Sequence, residues 1–396
     1  MKLKTLVIAP QPFFSPRGTP FSVYYRTMIA SELGVEQDFL TYGQGEDVLI
    51  NNVRFFRTPA LRFLGPVKIG PSALKLVHDI FIFLRMIGLL ARNRYDCVHA
   101  HEEAVFMALF LKPIFRFKLI YDMHSSLPQQ LANFEYSRFK PLIALFTWLE
   151  NKSLAVSDAI ITICPDLYNY VEKTLPENKK NFLIENSIFD PVRLAAPASS
   201  GQEQSNEKLP VPIPAAFKKR VVYAGTLESY QGIDVLVQAM GVISKKEPHI
   251  GCIIVGGTAE QVDRYRTLAR KCGADNNIIF TGRIPQNQAR AYIEQADVLV
   301  SPRSSGTNTP LKIYEQLASG IPLVATDIYS HTQVLTPEVA FLVQLDPEDM
   351  AGGIMDALAP DGRATAIAAN ARKLYEREYS RTAYVEKLRR VLEQVA

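Results

Sequence analysis

Short apolar runs alternate with longer amphipathic stretches in two separate series along this chain, and a stretch with no period divides them. In the first series, residues 3–9, 97–100, 119–121 and 159–164 read as buried strands, with helices expected over 19–33 and 137–155. Residues 195–214, rich in Ala, Pro, Ser and Gln, follow no period and read as a linker. The second series has strand-like runs at 220–224, 250–255, 277–280, 298–301 and 322–325, separated by helical stretches at 233–245, 259–271, 287–295 and 312–319. Strands and helices in this alternation build parallel sheets with crossover helices, and 396 residues are long for one core. The expected class is therefore α/β, with two doubly wound Rossmann-like domains facing a cleft. The boundaries are an N-terminal domain over 1–194, a linker over 195–216 and a C-terminal domain over 217–375. The last stretch, 364–395, reads as helical, with Tyr375, Tyr379, Tyr384 and Leu388 as apolar markers.

Composition narrows the class. A hydrophobic content of 47% with 21% charged residues describes an ordinary soluble globular protein, and a net charge of +4 is too small to argue for nucleic acid. Cys97, Cys164, Cys252 and Cys272 lack metal-type spacing and read as reduced thiols, which with a first apolar run too short for a signal peptide points to a cytoplasmic chain. No stretch reaches the roughly 18 uncharged apolar residues of a spanning helix. The nearest, 74–90, is interrupted by Lys75, His78, Asp79 and Arg85.

The most informative segment for chemistry is 304–327, SSGTNTPLKIYEQLASGIPLVATD. A polar loop with Gly306 runs into a helix whose first turn suits Pro310 and whose end suits Gly320. A helix start behind such a loop offers N–H groups and a positive dipole end to an anion. Lys312 adds a full charge there, and Glu315, one turn on, is an acceptor able to grip paired hydroxyls. Phosphate donors beside a ribose-binding carboxylate point to a nucleotide.

This segment resembles the donor-binding motif of the retaining glycosyltransferases of family 4, in which two glutamates eight residues apart flank a loop and helix start. Glu315, followed by Ala318, Gly320 and Pro322, matches the second glutamate. Thr307 stands where the first belongs, so the motif is degenerate. The resemblance runs along nearly the whole chain. It implies a GT-B architecture whose terminal helix, about 376–396, packs back on the first domain. It further implies a metal-independent hexosyl or N-acetylhexosaminyl transfer, with retention, from a nucleoside-diphosphate sugar to an acceptor hydroxyl. No cofactor is implied, and UDP is expected ahead of GDP.

Other positions follow from the same resemblance. In the loop QPFFSPRGTP, Gly18 matches the position whose amide faces the donor diphosphate, and Arg17 adds charge. His124, after the strand at 119–121, matches a histidine that contacts the transferred sugar. His99 and His101 share a strand face but lack a third ligand at suitable spacing, so a metal reading is set aside. Gly225 matches a motif glycine, whereas the two cations that family members place nearby are Thr226 and Gln231 here. Lys312, Arg303 and Arg283 are the candidate replacements, Lys312 first. Arg283 and Ile284 fall where the family reads the nucleobase. Gly306, Thr307 and Asn308 face the sugar, and Thr309, Pro310 and Leu311 the phosphates.

Residues 54–94 carry eight Lys or Arg against Asp79 alone, interleaved with Phe55, Phe56, Phe63, Phe81 and Phe83. Such a region suits an anionic membrane surface. The reading is thus a glycosyltransferase of cell-envelope polysaccharide or glycolipid synthesis, acting on a glycan or lipid-linked acceptor and peripheral on the inner face of the membrane. A non-catalytic homologue serving as partner subunit or sugar-nucleotide sensor, and a sugar-nucleotide epimerase on the same fold, remain the alternatives.

Overall fold

The computed structural model describes residues 3–15, 18–60, 65, 73–133, 140–176, 180–186 and 209–396. Arg17, most of the expected linker and positions 187–190 lie outside the described residues. The apolar runs become interior strands because both faces of each are covered, so they are buried along nearly their full length.

The first unit comprises 1–201 and 381–396. Its elements are β1 (Leu3–Ala9), α1 (Gly18–Glu32), β2 (Val35–Thr41), β3 (Val53–Arg57), α2 (Ala73–Arg92), β4 (Cys97–His101), α3 (Ala104–Phe115), β5 (Lys118–Met123), α4 (Leu127–Asn133), α5 (Lys140–Val156), β6 (Ala159–Thr162), α6 (Pro165–Thr174) and β7 (Asn181–Leu183). The seven strands form one sheet in the order β3-β2-β1-β4-β5-β6-β7, with parallel pairing throughout. Helices α2, α3, α5 and α6 share one core cluster.

The second unit, 202–380, contains β8 (Lys219–Ala224), α7 (Ile233–Lys246), β9 (Ile250–Val255), α8 (Ala259–Cys272), β10 (Ile278–Gly282), α9 (Gln286–Ile293), β11 (Val298–Ser301), α10 (Leu311–Ser319), β12 (Leu323–Thr326), α11 (Tyr329–Thr332), β13 (Phe341–Val343), α12 (Pro347–Leu358) and α13 (Arg363–Glu378). Its sheet runs β10-β9-β8-β11-β12-β13, again parallel. Both orders are those of a doubly wound Rossmann-like domain. Among the described residues no helix is long and apolar enough to cross a membrane.

Strands β2, β3, β7 and β13 were not anticipated. In β2 the reason is local: Gln37 and Asp38 interrupt the apolar run, yet both are buried. Gln37 donates to the Thr27 carbonyl at 2.8 Å. Asp38 accepts two bonds from Arg54, at 2.7 and 2.9 Å, and one from Tyr95 at 2.6 Å. Buried polar groups are tolerated where partners meet them, and those partners are distant in sequence.

The single helix expected over 364–395 is two. The first, α13, stays in the second unit; α14 (Arg381–Val395) belongs to the first. Tyr384, Leu388, Val391 and Val395, spaced as one helical stripe, bury against Leu3, Ile29, Ile120 and Ile161. Tyr384 also takes a hydrogen bond from Arg26 at 3.2 Å, and Lys387 pairs with Glu185 at 2.8 Å. Leu388 is completely buried, so Leu388→Ala is expected to cost about 2–5 kcal/mol of stability. Urea unfolding checks this; a shift within error would mean that α14 docks without supporting the first unit.

Candidate functional site

Ligands of doubly wound sheets bind beyond the carboxyl ends of the strands, where the strand order reverses. In the second unit that point lies between β8 and β11. Gly225 follows β8 with φ of 155°, and a Cβ there would lie 2.9 Å from the Tyr223 hydroxyl. Gly232, which caps α7 with φ of 66°, is held tighter still: a Cβ would stand 1.8 Å from the Pro302 carbonyl oxygen. Glycine at 232 lets the loop after β8 close on the loop after β11, and glycine at 225 leaves room for the Tyr223 hydroxyl. The Ser304 amide completes the contact, donating to the Tyr230 carbonyl at 2.9 Å.

Two cations meet here. Arg303 leaves β11 with its guanidinium over the Tyr230 ring, 5.3 Å from the centroid, and its Nε donates to the Ser305 carbonyl at 2.6 Å. Lys312, in the first turn of α10, places Nζ over the Tyr223 ring at 4.2 Å and donates to Gln231 Oε1 at 3.1 Å. Gln231 in turn reaches Thr226 Oγ1 at 3.4 Å. The two residues standing in place of family cations are therefore linked to the lysine expected to replace them. Pro310 lies one place earlier than expected, as the N-cap of α10 rather than within its first turn.

Desolvation, with Arg303 close by, pushes the Lys312 pKa from 10.5 down to about 7. Burial also lowers that of Arg303. Neither has a carboxylate partner among the described residues. Two desolvated like charges without a counter-ion are costly unless an anion joins them. Thr309 Oγ1, at the start of α10, is buried without a hydrogen-bond partner. Glu315 is exposed on the next turn, yet enough protein surrounds its carboxyl to raise its pKa by desolvation, against the pull of Arg290.

The loop between β11 and α10 is fixed from outside. Gly306 takes φ of 129°, Thr307 is exposed with its carbonyl bonded by Gln333, and Asn308 and Leu311 are half-buried. His331, which the sequence did not single out, is fully buried behind the loop. It bonds Ser301 Oγ at 3.0 Å and the Thr326 carbonyl at 2.8 Å, while Thr326 Oγ1 donates to the Arg303 carbonyl at 2.5 Å. Burial pushes the His331 pKa down to about 4, so the ring is neutral and holds Arg303 in place through β12. Arg283 is not part of this set. It lines a separate hollow of about 360 Å³ with Gly257, Thr258, Arg266 and Thr281, next to which Ile284 packs into the core.

In the first unit Gly18 opens α1, so its amide belongs to a helix start. His124, just past β5, is buried with Nε2 3.3 Å from Asp122 Oδ1 and 3.2 Å from His101 Nδ1. Asp122 is the third group that spacing could not supply, since it and both strand histidines offer ligand atoms within 4.8 Å of one another. Its charge is already met by Arg26, at 3.1 Å. Burial would raise the Asp122 pKa, but Arg26 and the neighbouring histidines hold it well below the usual carboxylate range. Burial lowers the pKa of His99 and His101 beside it, against the pull of Asp122. Glu150, also missed, is buried in α5 and accepts from Ser126 at 2.8 Å and Tyr170 at 2.7 Å, anchoring the turn after His124.

Comparison with known proteins adds a family to this geometry. Residues 30–188 match the model of Glycosyltransferase Family 4, and residues 208–374 match that of Glycosyl transferases group 1. The protein YtcC of Bacillus subtilis, assigned as a glycosyltransferase, is 30% identical over 189 residues, covering 45% of this chain and 46% of its own. The chain spans less than half the length of the curated relatives it matches first. The sucrose-phosphate synthase of Thermosynechococcus elongatus superposes with a TM-score of 0.73 at 19% identity, covering 100% of this chain and 99% of that one. HepE of Anabaena, solved with UDP and glucose, gives 0.68 at 14% identity, covering 99% of both. At such identities the structural likeness establishes the fold.

The lowered pKa of Lys312 makes stability depend on pH. Below about pH 7 the ammonium is charged in folded and unfolded chains alike, and its full desolvation cost weighs on the fold. Between about 7 and 10.5 only the unfolded chain keeps the proton, so this penalty fades as pH rises. Lys312→Met is therefore expected to be more stable than the parent at pH 6, with the gap narrowing toward pH 10. Urea midpoints at both pH values test this, and a gap that widens with pH would contradict it.

Proposed function

The chain belongs to the glycosyltransferases, with a family-4 domain followed by a group-1 domain, and on that footing we propose that it transfers a sugar from a nucleoside diphosphate to an acceptor hydroxyl with retention. The observation that carries this reading is the convergence of Lys312 and Arg303 at the strand-order reversal of the second unit, neither with a carboxylate partner among the described residues. A diphosphate is the anion that suits two cations, a helix start and the unpartnered hydroxyl of Thr309. Glu315, one turn along α10 and exposed, is within the same helix and suits the ribose diol.

In this mechanism the bond between the anomeric carbon and the diphosphate oxygen lengthens first. Negative charge grows on the departing oxygens, where Lys312, Arg303 and the first amides of α10 stabilise it. The acceptor hydroxyl attacks the anomeric carbon on the face the diphosphate is leaving and gives its proton to a diphosphate oxygen. Configuration is thereby retained, and no separate protein base is required. Lys312 titrates at about 7 in the free protein, and an arriving diphosphate favours its charged form. The replacement of two cations by Thr226 and Gln231 is met by this one side chain, which already engages Gln231. UDP is favoured over GDP as the leaving group, consistent with the UDP in HepE. A glycan or a lipid-linked glycan in cell-envelope synthesis is the proposed acceptor.

Calorimetric titration of the full chain with UDP, GDP and ADP tests the site. One of them is expected to bind, and Glu315→Ala to weaken it by about 3 kcal/mol, roughly a hundredfold. Unchanged affinity in the variant would remove the ribose assignment. Binding without any sugar release or transfer would favour the non-catalytic sensor, a reading prompted by Thr226 and Gln231.

A further inference from the structure

The sheet of the first unit ends at β3, which among the described residues pairs only with β2. Helix α2 runs beside that edge, and a groove of about 500 Å³ lies between the two, a size that suits a bound ligand. Phe81, Arg85, Gly88 and Arg92 line it from one stripe of α2, and Arg54 and Phe56 line it from β3. No carboxylate is among the lining residues.

Two features of this groove have no explanation inside the fold. The first is charge. Arg54 and Arg57 are bonded to Asp38 and Asp47, at 2.7 and 2.8 Å, and Lys75 is paired with Glu103. Arg85 and Arg92 are exposed and have no carboxylate partner among the described residues. Arg85 lies over the Phe56 ring, 5.8 Å from the centroid. Seven positions separate the two arginines, so they share one face of α2 about 10 Å apart along its axis. The second feature is Gly88, between them on that face. A glycine inside a helix is destabilising, and close packing usually explains it. Here a Cβ would meet nothing within 4 Å among the described residues. Packing does not require glycine at 88, whereas a side chain there would take up space in the groove. Arg62 and Lys68, the other basic positions read in this region ahead of α2, fall outside the described residues.

We propose that this groove binds an acidic glycan, an extended chain whose carboxylates on alternate sugars meet Arg85 and Arg92. The sugar between them passes over Gly88, against Phe56 and Phe81. Guanidinium forks match carboxylates with two parallel hydrogen bonds each. Two sugar units of an extended chain span about the distance between the arginines, whereas a lone phosphate would reach only one. Aromatic side chains beside a few fixed charges are what a carbohydrate, apolar on its ring faces and polar at its rim, requires. The inference deepens the glycan-acceptor reading and rests on it for the role of the chain. Strand β3 lies two places from the strand-order reversal between β1 and β4. The groove therefore holds the body of the glycan rather than its reacting end.

Calorimetric titration of the full chain with a hyaluronan hexasaccharide, in which every second sugar carries a carboxylate, tests the groove. It is expected to bind, and to bind more weakly as salt rises. A neutral chitin hexasaccharide and a hexaglutamate peptide are expected to bind about tenfold more weakly or worse. Arg85→Glu and Arg92→Glu should each weaken hyaluronan binding by about tenfold or more. Gly88→Leu should weaken it too while raising the thermal midpoint, because leucine favours the helix; damage to the fold would lower that midpoint instead. No binding of hyaluronan would overturn the proposal. Equal binding of either control, or undiminished binding by both arginine variants, would also overturn it. Nucleotide titrations in parallel keep the two readings apart. Hyaluronan binding without nucleotide binding would leave the groove standing and remove the donor site, and nucleotide binding alone would do the reverse.

Discussion

A parallel sheet whose crossovers reverse direction part-way leaves a gap at its carboxyl edge, because the helices on either side of the reversal pack on opposite faces. The chemistry of the second unit depends on that gap. Strands β8 and β11 flank it, and the loops leaving them carry Gly225, Gln231, Gly232 and Arg303. Gly232, in the left-handed region, allows the loops to touch, and α10 then delivers Lys312 to the point of contact. A bulkier residue at position 232 would collide with the Pro302 backbone, so the site is specified by sterics before any charge is considered.

Charge then gives the gap a preference. Arg303 is fixed by its own backbone, held from behind by Thr326 and the neutral ring of His331. Lys312 is fixed by an aromatic face and an amide oxygen. Neither arrangement cancels the positive charge, as a carboxylate would. The first unit treats its buried charge in the opposite way. Asp122 is enclosed by Arg26 and three histidines, and Arg26 is tied through Tyr384 to the last helix. There the buried carboxylate has its counter-ion within the unit, and the cluster joins β4, β5, α1 and α14.

Much of this was legible in the sequence wherever a property is local. Interior strands announce themselves as apolar runs because both faces are dry, and α10 could be bracketed by Pro310 and Gly320 because helix ends use residues with particular backbone preferences. Lys312 was named as the replacement for the cations that the resemblance places at Thr226 and Gln231, and in the structure it contacts Gln231, which reaches Thr226. What escaped were groups whose meaning comes from distant partners. Asp38 made β2 look unlike a strand until Arg54 and Tyr95 were seen to satisfy it. His331 carries no neighbouring signal, since Ser301 lies 30 residues away and the Arg303 carbonyl is reached only through Thr326.

The sequence alone determined the two α/β series, most of their interior strands and the start of α10 behind a polar loop. Periodicity, turn chemistry and helix capping act over a few residues and are written in them. The resemblance already implied that the terminal helix returns to the first unit; only the tertiary structure set its start at Arg381 and decided that Asp122 joins the histidines and that Arg283 stands apart from Lys312. These are contacts between segments tens to hundreds of residues apart. They are fixed by which buried surfaces and charges find partners, and no local pattern records that choice.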